Sequence, residues 1–413
     1  MSELKGITYL EKKLDAKRRR VELRYRWYEQ KAYAPDLGIS TPKGLERFDT
    51  VNGWCAKAVD NLADRLQFKG FNEDTDKFNL NEMFNQNNPD IFFDDAMLSA
   101  LISSCCFILV TRGEDREQGR HIRFQVIDGG NATGIIDDYT KLLTEGYAVL
   151  ERDGDQKVVR YAYLTPGRTE IHQVGTEDPI AVETFASQYC ALVPIIYKPD
   201  AKRPFGHSRI SRACIDYAKS AMRTVKRMEI AAEFYSFPQK YVTGLSQEVE
   251  TLDSWQAAMS AMLSFSKDDD GDSPTLGQFA TGSMAPHIEE LKATASLFAG
   301  ETGLTLDDLG FNTQNPSSAE AIKAGHETLR LITVKAQKCF SVGFKNVGFI
   351  GACIRDNQDY IRDTVIDTKA LWRPAFEPDA AMLSSIGDGV LKLNQAMDGF
   401  IDEERMEALT GIE

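Results

Sequence analysis

Apolar positions recur at helical spacing through most of the chain and at strand spacing in one central block. The clearest helical stretch runs from Ser208 to Tyr235, holds no Gly or Pro, and is rich in Ala, Met, Lys, Arg and Glu, all of which favour helix except where packing overrides them. Ser208 is the expected N-cap, and Pro238 stops the pattern. Cys214, Ala218, Ala221, Val225, Met228 and Ala232 fall on one side. Arg212, Lys219, Arg223, Lys226 and Arg227 cluster roughly 150° away, counting about 100° per residue. One face is small and apolar, fit for close packing; the other is a cationic stripe, which on an ordinary surface helix is a solvated face.

Upstream, residues 6–34 read as a helix with a basic middle, in which Leu10, Leu14, Val21 and Tyr25 keep the packing period. A second helix is expected over residues 45–66, with Val51, Trp54, Cys55, Val59, Leu62 and Leu66 facing inward, followed by the strand-like LQFKGF. Two more helices, NLNEMFNQN and PDIFFDDAMLSALISS, lead into the apolar strand CCFILVTR, and Pro89 suits a first helical turn. From residue 121 to 199 the texture alternates and is β-branched, with Gly and Asp turns between segments, the pattern of an antiparallel meander. The first 200 residues therefore read as one α+β domain.

After the basic helix the helical period is interrupted by strand-like QKYVTGL, a helix around SWQAAMSAMLSF and the acidic run KDDDGDSPTLGQFATGS. Helix resumes at residue 286. A polar loop from Gly303 to Asn315 precedes a very long helix, expected from Pro316 to about Cys353, with Ser317 and Glu320 as a capping box. Gly343, Gly348 and Gly351 predict a bend or break in its second half. A strand near 368–376 and helices at 380–397 and 402–409 close the pattern.

At 413 residues with 42% hydrophobic and 27% charged residues, the chain is long enough for a large core, and two or three domains are expected. Lys+Arg 48 against Asp+Glu 62 gives −14, the reverse of a protein that grips nucleic acid tightly. Any DNA contact is therefore local or transient. The seven cysteines form no C-x-x-C, which with their odd number points to a reducing compartment. No run of about 18 apolar residues exists, so no membrane span is expected.

The usual catalytic constellations are missing. There is no G-x-x-x-x-G-K-[ST], and Gly206-His207-Ser208-Arg209-Ile210 lacks the second Gly of a nucleophile elbow. His326-Glu327 lacks the second His of a zinc helix. Asp268, Asp270 and Asp272 open like a calcium loop, but Ser273 replaces the turn Gly and Phe279 the bidentate Glu. No catalytic residue, metal ligand set or cofactor is expected.

The order of parts is distinctive: mixed domain, basic helix, small insert, second helix, polar loop, long capped helix, short helical tail. Asn315-Pro316-Ser317-Ser318-Ala319-Glu320-Ala321-Ile322, preceded by Thr302-Gly303-Leu304 and Leu309-Gly310, carries the most specific likeness. Asn52-Gly53-Trp54-Cys55, Phe68-Lys69-Gly70-Phe71 and Phe205-Gly206-His207-Ser208-Arg209-Ile210 add to it. Over nearly its whole length the chain resembles the portal (head-to-tail connector) proteins of tailed bacteriophages. That resemblance implies an α+β portal fold: a mixed wing (1–204), two stem helices (205–235 and 286–302), a small α/β clip (236–285), a channel loop (303–315), a long kinked wing helix (316–360), and a wing strand with short crown (361–413).

It further implies a ring, usually of about twelve copies with closed rotational symmetry, at one capsid vertex of the virion, assembled in the host cytoplasm. The ring would be the conduit for double-stranded DNA during packaging and ejection. Its partners would be the terminase motor, a head-tail adaptor, and the major capsid and scaffolding proteins, with no membrane. Asp307, Asp308, Asn312, Thr313, Gln314 and Asn315 would lie nearest the DNA. The stripe of Arg212, Lys219, Arg223, Lys226 and Arg227 would face either the channel or acidic surfaces of neighbours. The rival reading is a DNA-processing enzyme or factor with a helical accessory domain, which would need a metal or nucleotide site.

Overall fold

The computed structural model describes residues 4–33, 49–113, 122–236, 240–243, 275–278, 283–311, 324–376 and 380–410. The chain divides into two compact units, one of Met1–Lys31, Gly53–Ile215 and Gly300–Glu413, the other of Ala32–Asn52 and Asp216–Ala299.

The first unit opens with α1 (Ile7–Tyr28), α2 (Trp54–Ala63), β1 (Phe68–Phe71), α3 (Leu80–Asn85) and α4 (Pro89–Ser103). The strands β2 (Cys105–Arg112), β3 (Ile122–Ile127), β4 (Ala132–Ile136), β5 (Leu143–Arg152) and β6 (Val158–Thr165) follow. Then come β7 (Arg168–Gln173), β8 (Ala181–Thr184) and β9 (Leu192–Ile196). β4 to β8 form the expected antiparallel meander, while β3 joins a second sheet in the order β3-β2-β9. β2 sits at the centre of that sheet, and its first six residues are all buried, which is why its sequence runs apolar without alternation. The mixed α+β class is as expected.

α1 lies on the meander, with Leu10 and Leu14 packed against Tyr147 and Val149. Its N-terminus is fixed by a carboxylate. Glu145 in β5 is 1% exposed and accepts from the backbone N–H groups of Lys5 (2.8 Å) and Gly6 (2.7 Å) and from the Tyr163 hydroxyl (2.9 Å). A buried carboxyl group is tolerated there because the helix end supplies backbone donors for its oxygens. Burial and the bond to Glu145 push the Tyr163 phenol up.

The unit's later part supplies α7 (Glu327–Asp356), β12 (Ala370–Trp372), α8 (Ala380–Ala396) and α9 (Glu403–Thr410). β12 pairs antiparallel with β1, tying late sequence to early. Around that pairing is an aromatic cluster: Phe68–Phe93 centroids at 4.6 Å, Phe93–Phe344 at 4.8 Å, Phe68–Trp372 at 4.9 Å and Phe84–Phe124 at 5.0 Å. Tilted and edge-on rings at these spacings each add about 1 kcal/mol beyond their buried area.

The three glycines do not break the long helix; helical bonding runs without interruption from Glu327 to Asp356. They allow close approach instead. A Cβ on Gly343 would sit 2.7 Å from Ile195 Cδ1, and one on Gly348 would sit 2.8 Å from Leu80 Cδ2. The interruption falls at His326, a turn that separates residues 324–325 from α7. The capping box at Ser317 lies outside the described residues.

The second unit holds most of α5 (Arg212–Ser236), the antiparallel pair β10 (Lys240–Thr243) and β11 (Thr275–Gln278), and α6 (Ala285–Thr302) as far as Ala299. Thr50 Oγ1 donates to the Met222 carbonyl at 3.1 Å. The insert helix expected near 254–265 and the acidic run at 268–272 lie outside the described residues. α5 starts later than the pattern predicts. Ser208 is not its cap: that hydroxyl donates to the Ile102 carbonyl at 2.6 Å. Ser211 caps it, its Oγ accepting from the Cys214 N–H at 3.2 Å, the usual N-cap-to-N3 bond.

Candidate functional site

The residues after α6 form a closed turn. Gly303 has φ 70°, the left-handed region that ends helices and that residues with a Cβ avoid. It also lies against α7: a Cβ there would be 3.0 Å from Thr328 Cγ2 and 3.1 Å from Ile332 Cδ1. Thr305 and Asp308 then cap each other. The Thr305 N–H and hydroxyl donate to Asp308 Oδ2 at 2.8 and 2.9 Å, and the Asp308 N–H donates to Thr305 Oγ1 at 3.2 Å. The Leu306 carbonyl accepts from Leu309 and Phe311 at 3.1 and 3.0 Å, and Gly310, at φ 88°, ends the turn. Phe311 meets Trp54 edge-on at 6.3 Å.

This geometry separates two residues that the sequence grouped. Asp307 is exposed, whereas Asp308 is half-buried, its carboxylate engaged by Thr305 and 3.8 Å from His326 Nδ1. Asp308 is a brace inside the turn before it is anything else. Asn312, Thr313, Gln314 and Asn315 lie outside the described residues.

A residue without a role in the sequence reading holds this region together. Arg209 is buried; its Nε donates to the Ala58 carbonyl in α2 at 2.9 Å, and its Nη2 donates to the Thr302 carbonyl at the end of α6. Its own N–H donates to the Leu101 carbonyl at 2.8 Å. Burial pushes the nearby Tyr197 phenol up, and Arg209 opposes that shift. Ser211 adds a second link, its hydroxyl donating to Glu301 Oε1 at 2.9 Å. A guanidinium at a helix C-terminus answers both the free carbonyls and the negative end of the dipole. Its one signal in the sequence is the Phe205–Ile210 stretch, which adds to the family likeness without giving Arg209 a role.

Of the cationic stripe, Arg212, Lys219, Arg223 and Arg227 are exposed. Lys226 is a correction. It is 6% exposed, because Met222, Lys226 and Ile230 form one row at four-residue spacing, and Met222 and Ile230 are both buried. Arg227 is 3.6 Å from Glu290 of α6, within the second unit. Lys219 and Arg223 have no ion pair among the described residues. Among those residues, no group of three or more His, Cys, Asp or Glu is arranged to hold a metal ion, and no helix is long and apolar enough to cross a membrane. The cysteines are free, and all but Cys339 are buried.

No protein-family model matches the chain. Two curated relatives do. The portal protein of Mycobacterium phage L5 is 23% identical over 403 residues, covering 92% of this chain and 79% of the relative. The portal protein of Mycobacterium phage D29 is 23% identical over 405 residues, covering 92% and 80%. Among solved structures, a chain of the neck of an empty GTA particle computed with C6 symmetry aligns over 88% of this chain and 90% of its own, with 12% identity and a TM-score of 0.46. The resemblance to the portal family carried by the loop and helix motifs is borne out by the two phage relatives.

Proposed function

We propose that this chain is a portal protein of the tailed-bacteriophage type, one wedge of a ring set at a capsid vertex of the virion. Double-stranded DNA enters and leaves through the ring. Its outer end takes the terminase motor and later the head-tail adaptor, and capsid and scaffolding proteins surround it. The observation that carries this reading is the similarity to two portal proteins along 92% of the chain. In it, residues 1–204 serve as wing, 205–235 and 286–302 as stem, 236–285 as clip, and 303–315 as channel loop. Residues 316–360 are the long wing helix, and 361–413 complete the wing and crown.

The physics of a conduit supports the same assignment. A ring of identical wedges needs two different, complementary faces on each copy. DNA that must slide cannot be held by many phosphate contacts, since each one adds salt-dependent affinity. A charge of −14 per copy, repeated around an opening, keeps the duplex off the wall. Exposed Asp307 with Asn312, Thr313, Gln314 and Asn315 would then give weak, sequence-independent contact, while Asp308 holds the turn's shape. The exposed stripe fits acidic groups of the neighbouring copy better than the duplex, because Arg227 already makes that kind of contact with Glu290.

Native mass spectrometry with negative-stain imaging of the purified protein tests the reading. A ring of about twelve copies with an axial hole is expected. A monomer or dimer that cuts DNA or hydrolyses ATP would replace it with the enzyme reading.

A further inference from the structure

One side chain of the first unit is out of place for a folding role. Tyr139, in the turn between β4 and β5, is 95% exposed, and the Asp138 side chain beside it is 84% exposed. The turn that carries them is firmly held. Asp137 Oδ2 accepts from the Thr140 N–H at 2.8 Å and hydroxyl at 2.6 Å, and the Asp137 N–H donates to the Leu142 carbonyl at 2.8 Å. From α7, Asn346 Nδ2 donates to the Thr140 carbonyl at 2.9 Å, while Asn346 Oδ1 accepts from Arg362 at 2.6 Å. Lys141 Nζ is 4.0 Å from Asp138 Oδ1. A rigid turn presenting a bare aromatic ring and a carboxylate is the form of a binding anchor, since little entropy is lost on docking.

The opposite end of the same hairpin carries a matching recess. A trough of about 840 Å³ runs beside α1, lined by Arg18, Arg19, Arg26 and Arg152 with the apolar Val21 and Leu23. It joins a second groove of about 450 Å³ through Arg18, Arg152 and Gln156, which line both. The two arginines at that waist are aimed. Arg152 Nε donates to Asn131 Oδ1 and its Nη1 to the Gln156 carbonyl, both at 3.0 Å; Arg18 Nε donates to Glu22 at 2.7 Å. Burial, and then the like charge of Arg18, lowers the Arg152 pKa. Glu22, Glu29 and Asp128 also line the trough. A polyphosphate would meet those carboxylates, whereas a single carboxylate with an apolar neighbour suits the waist.

We propose that Asp138 and Tyr139 of one copy dock into this trough on the next copy, the carboxylate between Arg18 and Arg152 and the ring against Leu23. The inference rests on the ring reading and names its contact. Ala132 pairs with Ala148 at one end of the hairpin and Ile136 with Leu143 at the other, so about 13 Å of paired strand separates the knob's end from the socket's. Complementary patches at opposite ends of one rigid element make a head-to-tail interface, the kind that closes into rings.

Two variants in the full chain test it. Leu23→Cys with Tyr139→Cys, oxidised, is expected to give a covalent ladder of multimers that neither single variant gives. Asp138→Arg is expected to raise the concentration at which the ring dissociates at least tenfold, and adding Arg18→Glu to restore it. If the unmodified protein is a ring but the double-cysteine variant forms no ladder, or Asp138→Arg leaves dissociation unchanged, this contact is wrong and the ring reading stands. If the unmodified protein is a monomer, both are wrong.

Discussion

Arg209 donates a hydrogen bond to the carbonyl oxygen of Thr302, the last residue of α6, while also serving the Ala58 carbonyl in α2. One guanidinium thus satisfies two helices' backbone groups in a place that excludes water. Arg209→Ala removes both bonds and is expected to cost about 3 kcal/mol of unfolding free energy, with Lys, which has no fork, recovering less than half. Urea unfolding followed by fluorescence reads this; an unchanged midpoint for the Ala variant would remove Arg209 from its central position.

Gly303 and Gly310 both have positive φ, 70° and 88°, but among the described residues only Gly303 has neighbours close to where a Cβ would stand. Gly310→Ala meets only the backbone penalty, about 1 kcal/mol. Gly303→Ala adds the push against Thr328 and Ile332 and is expected to cost about twice as much. Equal losses in thermal unfolding would contradict the packing argument.

Glu145 anchors the start of α1, so Glu145→Ala is expected to cost about 2–3 kcal/mol and Tyr163→Phe about 1 kcal/mol. The double variant should cost less than the sum, because both remove the same buried bond. Strict additivity would mean that the Tyr163 hydroxyl is satisfied elsewhere.

Asp94 titrates in an acidic cleft. Burial raises its pKa above 3.8, and the like charges of Asp95, Asp64 and Asp90 raise it further. The folded state therefore holds that proton more tightly than the unfolded chain does. The favourable contribution is complete below 3.8 and is lost as pH rises through the raised folded value. Asp94→Asn should raise Tm at pH 7 and leave it unchanged near pH 3. A gain of equal size at both pH values would show that charge is not the cause.

On the ring proposed above, charge reversal at Lys219 and Arg223 is expected to weaken assembly and leave the fold intact, because both are exposed and make no ion pair among the described residues. Circular dichroism checks the fold and native mass spectrometry the ring. Normal assembly with normal DNA retention in particles would deny the stripe any role.

The elements that were legible in the sequence are those whose burial follows a local period. Leu10 and Leu14 mark α1's inner face, the unbroken apolar run marks β2, and alternation marks the meander. What was not legible depends on distant partners. Ser208 reads as the cap of α5 until the Ile102 carbonyl takes its hydroxyl and Ser211 caps the helix instead. Lys226 reads as solvated by type, yet it lies in a row with Met222 and Ile230. Asp307 and Asp308 read as a pair until Thr305 engages one of them. Arg209 cannot be found from its own stretch, since both carbonyls it serves come from other segments.

The glycines of α7 have a mechanical consequence. Side chains from β9 and α3 fill the gaps at Gly343 and Gly348, so the buried half of the helix is keyed to its bed like a shaft in a slot. Sliding by one turn would drive Ile195 and Leu80 into side chains where they now meet only hydrogens. Motion arriving at the Glu327 end, where one side faces solvent, must therefore be taken up as bending or twisting of that end and cannot pass through as travel along the axis.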